Sequence, residues 1–128
     1  MKIRMRNEIQ LDHEMEVICQ EFDVQVQEKN GQLYLIFQND EDEKVIIKCD
    51  EAELTMTRFS NPKSVMRFIK HQEAILALPT PMGIQHFVTD TKAYELDRTQ
   101  QVLRLDYDLK PLESDQLFAS YEMVICWE

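Results

Sequence analysis

The chain has 128 residues, of which 44% are hydrophobic and 30% charged, with a formal net charge of −10 and an isoelectric point near 4.7. This is the length of one domain, long enough to bury about two-thirds of its unfolded surface without a disulfide or metal. The acidity argues against nucleic acid and anionic membrane surfaces, which need clustered Lys and Arg, and no apolar run approaches the ~20 residues that span a bilayer.

The start, Met1-Lys2-Ile3-Arg4-Met5-Arg6, is basic but lacks the apolar stretch of a secretory signal. A cytoplasmic location is therefore expected. In the first segment, 2–11, Ile3, Met5, Ile9 and Leu11 take odd positions and charged or polar residues the even ones. Strand side chains alternate between faces, so this pattern predicts one dry and one wet face. The second segment, 15–28, is long. Its apolar residues change phase, from Met15, Val17 and Cys19 to Phe22, Val24 and Val26, which predicts a β-bulge near Gln20-Glu21. Asn30-Gly31 predicts a type I′ hairpin, because both residues tolerate positive φ.

Strands are then expected over 32–38, 44–50 and 53–59, with a turn marker at Asn61-Pro62. Segment 64–71 does not alternate, and reads either as a short helix or as a strand packed on both faces. Strands follow near 73–79, 84–88, 92–97, 101–109 and 117–127, with a break at Thr80-Pro81-Met82-Gly83. In 103–109 and 117–127 the apolar residues again fall on odd positions. So many short strands in a meander predict an all-β, closed antiparallel up-and-down barrel of about 8–10 strands with little or no helix. The whole chain, 1–128, reads as that one domain.

The ordered segments resemble the YwiB-like family of small bacterial proteins. The elements that carry the resemblance are Ile3 to Ile9, Glu14 to Gln27, Asn30-Gly31 into Leu33-Tyr34-Leu35, Met56-Thr57-Arg58-Phe59, Met66-Arg67-Phe68 and Thr80-Pro81-Met82-Gly83. The chain departs from that pattern at Leu78 and Met82, where aromatic residues are usual, and at Phe59-Ser60-Asn61-Pro62, where a Gly usually follows. The resemblance implies a calycin-like, lipocalin-type β-barrel in the bacterial cytosol and brings no catalytic residues with it.

Few residues stand out as carriers of chemistry. Arg58 shares parity with Leu54 and Met56, and Arg67 with Val65 and Ile69. If those faces turn inward, a guanidinium would meet a carboxylate or phosphate headgroup. The alternative turns Met66 and Phe68 inward and Arg67 to water. His86 shares a face with Ile84 and Val88 and is the one candidate general base on an apolar face. Phe87 and Tyr94 are candidate wall residues of a pocket.

No cofactor or metal is called for. His13, His71 and His86 are far apart, and no zinc spacing occurs among the histidines and cysteines. The Asp40-Glu41-Asp42-Glu43 run lacks calcium-loop spacing. With only Gly31 and Gly83, no glycine-rich phosphate loop exists. Cys19, Cys49 and Cys126 read as buried, reduced thiols.

The leading functional reading is a non-enzymatic barrel that binds a small amphipathic or acidic ligand through Arg58, Arg67, His86, Phe87 and Tyr94. The second is a solid barrel that docks a protein partner or a second copy. The third, an enzyme using His86, has no visible acid–base pair.

Overall fold

The computed structural model describes residues 1–114 and 116–128. Ten strands follow one another: β1 Lys2–Leu11, β2 Glu14–Lys29, β3 Gln32–Gln38, β4 Lys44–Cys49, β5 Glu53–Arg58, β6 Ser64–Ile69, β7 Glu73–Thr80, β8 Gly83–Asp97, β9 Val102–Pro111 and β10 Ala119–Trp127. Among the described residues no helix forms, and none is long and apolar enough to cross a membrane. Segment 64–71 takes the strand option.

Every paired neighbour is antiparallel, and the last strand returns to the first, giving the order β6-β5-β4-β3-β2-β1-β10-β9-β8-β7. The result is an up-and-down, nearly closed barrel. β2 joins its two halves: residues up to Asp23 pair with β1, and those from Val24 pair with β3.

The alternation sets the core. Ile3, Leu35, Ile47, Leu54, Phe68, Leu103, Leu105 and Ile125 point inward and are at most 1% exposed. Each such side chain contributes roughly 1.5–3 kcal/mol of burial. The Asn30-Gly31 turn has φ of 54° and 77°, as the hairpin reading requires.

Two expectations about local structure are corrected. The register of β2 against β1 runs unbroken from Lys2↔Asp23 to Leu11↔Glu14, so there is no bulge at Gln20-Glu21. The phase change arises because residues 14–21 are exposed on both faces, and no covering layer enforces one dry side. The irregularity lies instead in β8, between Thr91 and Ala93. There the chain bends without stopping, so the two segments near 84–88 and 92–97 are one strand. Cys49 is buried, but Cys126 is only half-buried and Cys19 is exposed, because Cys19 lies on the uncovered half of β2.

Where ladders are missing, single hydrogen bonds bridge the barrel wall. β6 and β7 are linked by a tight turn and share no ladder. Across that seam the Thr89 hydroxyl donates to the Arg67 carbonyl at 2.6 Å, and the Thr91 N–H donates to the Gln72 carbonyl at 3.2 Å. At one end Arg98, in the turn after β8, reaches Glu51 at 2.7 Å and Glu28 at 3.0 Å, and donates to the Gly31 carbonyl at 2.7 Å. The Tyr94 hydroxyl donates to the Asp50 carbonyl at 2.7 Å beside it.

Candidate functional site: a methionine-lined cavity inside the barrel

The inward faces leave a cavity of about 200 Å³ between the two halves of the barrel. β1 supplies Met5 and Asn7, β2 supplies Ile18 and Gln20, and β10 supplies Met123. Opposite them stand Met56 of β5, Met66 and Phe68 of β6, and Tyr107 of β9. Four of the seven methionines in the chain line this space. Methionine is unbranched and polarizable, so such a wall adapts to the shape of what it holds.

The placement follows from register. Met5 lies opposite Ile125 and Asn7 opposite Met123 across the β1–β10 pair, and Met56 lies opposite Met66 across β5–β6. Phe68 and Tyr107 pack at 4.5 Å between ring centroids, and Tyr107 stacks on Tyr121 at 4.7 Å. These rings form a rigid floor. Burial holds the Tyr107 hydroxyl above its usual pKa, so it stays a neutral donor.

Asn7 is the polar anomaly of the wall. Its side-chain oxygen is buried and has no hydrogen-bond partner. An orphaned buried acceptor costs about 1–3 kcal/mol. A ligand hydroxyl, amide or acid proton placed in the cavity would satisfy it.

The cavity adjoins a second hollow of about 290 Å³, formed by Met56, Arg58, Ser64, Met66, Leu78 and Pro79. Met56 and Met66 belong to both. Arg58 therefore stands at the rim of the interior, inward in parity but at the end of its strand, with its side chain half exposed and Glu43 at 3.7 Å. Larger hollows are more open, such as the groove of about 810 Å³ beside Lys2, Asp23 and Lys44, which is edged by charge and touches the core at Val24 and Phe37.

The other residues singled out in the sequence are not brought together with Arg58. Arg67 faces water on the outer side of β6 and pairs with Glu53 at 3.1 Å, because Met66 and Phe68 take the inward positions. His86 is exposed and lies opposite Ala77 on the outer face of β7–β8. Phe87 turns inward, packs partly against the core and meets Phe118 edge-on at 6.1 Å. Tyr94 is 4% exposed and bound to Asp50, as a closing element of the base. Among the described residues no three His, Cys, Asp or Glu side chains gather as metal ligands would.

Sequence reasoning missed Asn7, Gln20 and the methionines. The signal for Asn7 was present: it is the one polar residue among the odd positions of β1. The methionines carried no such mark, since an inward Met reads as ordinary core.

Residues 3–125 match the family described as Domain of unknown function (DUF1934). The chain belongs to the DUF1934 family. The YwiB resemblance is thus a family relationship. The crystal structure of ywiB protein from Bacillus subtilis matches this DUF1934 chain with a TM-score of 0.77, over 97% of this chain and 87% of that one. At 21% identity the likeness shows a shared fold. Among curated proteins none matches the chain.

Proposed function

We propose that this DUF1934 protein is a non-enzymatic binding barrel for a small amphipathic molecule. The observation that carries the reading is the buried, unpartnered side-chain oxygen of Asn7 in a methionine-lined cavity. The apolar body of the ligand would lie among Met5, Met56, Met66 and Met123. A donor on the ligand would meet Asn7. An acid group would extend past Met56 and Met66 to Arg58, whose forked guanidinium suits a carboxylate.

Size narrows the class. A cavity of about 150 Å³ is enough for benzene, so about 200 Å³ suits a compact ring or a short alkyl chain. Hexanoate and benzoate are suitable probes. His86 lies on the outer face, away from this cavity, and a catalytic reading gains no residue from it.

The test combines native mass spectrometry of the freshly purified protein with methyl NMR of its methionines. The expected result is one small molecule released on denaturation, or saturable shifts of Met5, Met56, Met66 and Met123 with hexanoate. Met15 and Met82, which are exposed elsewhere, should not move. Arg58→Met should weaken hexanoate about tenfold or more and leave hexanol unchanged. A bare mass together with unmoved methionine signals across both acids and hexanol would overturn the reading.

A further inference from the structure

The inward face of the β5–β6 hairpin grades from apolar to polar. Its cross-strand pairs are Leu54 with Phe68, Met56 with Met66, and Arg58 with Ser64. Successive pairs on one face are roughly 7 Å apart along the strands. Leu54 and Phe68 pack in the core, the two methionines line both the cavity and the hollow beside it, and Arg58 and Ser64 line the hollow alone. Ser64 is 8% exposed. Among the described residues, neither its hydroxyl nor the Arg58 guanidinium makes a hydrogen bond. Glu43 approaches Arg58 only to 3.7 Å, beyond hydrogen-bonding length. A buried hydroxyl beside a guanidinium, both with free donors, suits an oxyanion. Leu78 and Pro79 of β7 complete the hollow, across the seam where β6 and β7 share no ladder.

We propose that Ser64 is a second headgroup residue, and that Arg58 and Ser64 together select a monocarboxylate. The inference rests on the cavity reading above and adds to it the class of acid. The guanidinium would hold the carboxylate through two N–H groups, and the Ser64 O–H would donate to one of the same oxygens. The tail would run inward past Met56 and Met66. Charge sets the class. Arg58 is the one charged residue lining the hollow, and the Glu43 carboxylate already stands beside it. One negative charge is balanced there and a second is not. A phosphate monoester, close to doubly charged at neutral pH, is therefore disfavoured. Glu43 is anchored to its own turn, where the Asn39 side-chain amide donates to its carboxylate at 3.0 Å. That anchor leaves the fork of Arg58 free for a ligand.

Methionine methyl NMR titrations of the full chain with hexanoate, hexanol and hexyl phosphate test it. Hexanoate should bind at least about tenfold more tightly than hexyl phosphate, because like charges set side by side are costly. Ser64→Ala should weaken hexanoate about tenfold, the worth of one hydrogen bond to a charged group, and leave hexanol unchanged. Ser64→Thr, which keeps the hydroxyl, should restore hexanoate. Equal affinity for hexanoate and hexyl phosphate would overturn the headgroup proposal, and so would a Ser64→Ala variant that binds hexanoate as the wild type does. A Ser64→Ala variant that loses hexanol along with hexanoate would overturn it too, by showing a merely structural role. In each of these cases hexanol binding to the wild type would leave the cavity reading standing. Unmoved methionine signals with all three compounds would overturn both.

Discussion

Asn7 sits where the alternation of β1 calls for an apolar side chain. Its neighbours on that face, Ile3 and Met5, pack into the core, while its own side-chain oxygen is left unpaired. A group kept at such a cost is suited to a ligand rather than to stability. Asn7→Leu, which is close in volume, should leave the empty protein as stable or raise its stability by about 1 kcal/mol, measured by urea unfolding. The same variant should lose the methionine shifts with hexanoate. A clear loss of stability would instead mark the Asn7 amide as part of the fold. Cys49 shows the contrary case: buried among apolar side chains, its thiol is pushed up to about 12 by burial and stays unreactive, as the sequence reading held for all three cysteines. Cys19 escapes that reading because it faces outward on an uncovered strand.

At the level of elements, the informative places are those where the ladder stops. Between β6 and β7 the Thr89 hydroxyl, fully buried, replaces a missing backbone bond by donating to the Arg67 carbonyl. Thr89→Val keeps the shape and removes that donor. It should cost about 1–2 kcal/mol by leaving the carbonyl unsatisfied, read as a lower midpoint in a denaturant titration with an unchanged slope. An unaltered midpoint would mean that the seam is held by packing alone. The bulge between Thr91 and Ala93 serves the same bend, and no phase change in the sequence announces it. β2 teaches the reverse: its phase change looks like a bulge, yet the strand is regular and its outer half lacks a covering layer.

For the molecule as a whole, the end closed by Arg98 contributes to how stability responds to acid, alongside the carboxylates of Asp23 and Asp90. Arg98 is 30% exposed and ties three separate turns together. Its hydrogen bonds hold Glu51 below the usual carboxylate range, and the backbone N–H of Ala52 does the same, first among several donors, for Asp50. A carboxylate with a depressed folded pKa stabilises fully above its unfolded value and loses that contribution as pH falls through the folded one. Stability should therefore be level above about pH 4.5 and fall steadily below it. Arg98→Met should cost about 1 kcal/mol at neutral pH, because the paired carboxylates are exposed to solvent, and should flatten the acid limb of the pH–stability curve. A variant with the wild-type acid limb would show that Arg98 does not set the ionisation of Glu51.

The amino-acid sequence by itself determined the class of fold, most of the strand positions and the Asn30-Gly31 turn, and its ordered segments carried the family resemblance. The fold class, strands and turn rest on period-two alternation and on local backbone preference, which act within a few residues. Of its candidate residues, Arg58 stands at the rim of the interior, and the others mark how far parity reaches. Parity shows that two sets of residues lie on opposite faces, but in 64–69 both sets are partly apolar, so it did not show that Phe68 rather than Arg67 points inward. The cavity and the uncovered half of β2 were decided only in the tertiary structure. Each depends on how far one strand extends past its neighbour, and that distance is set by pairing register between segments that can be more than a hundred residues apart.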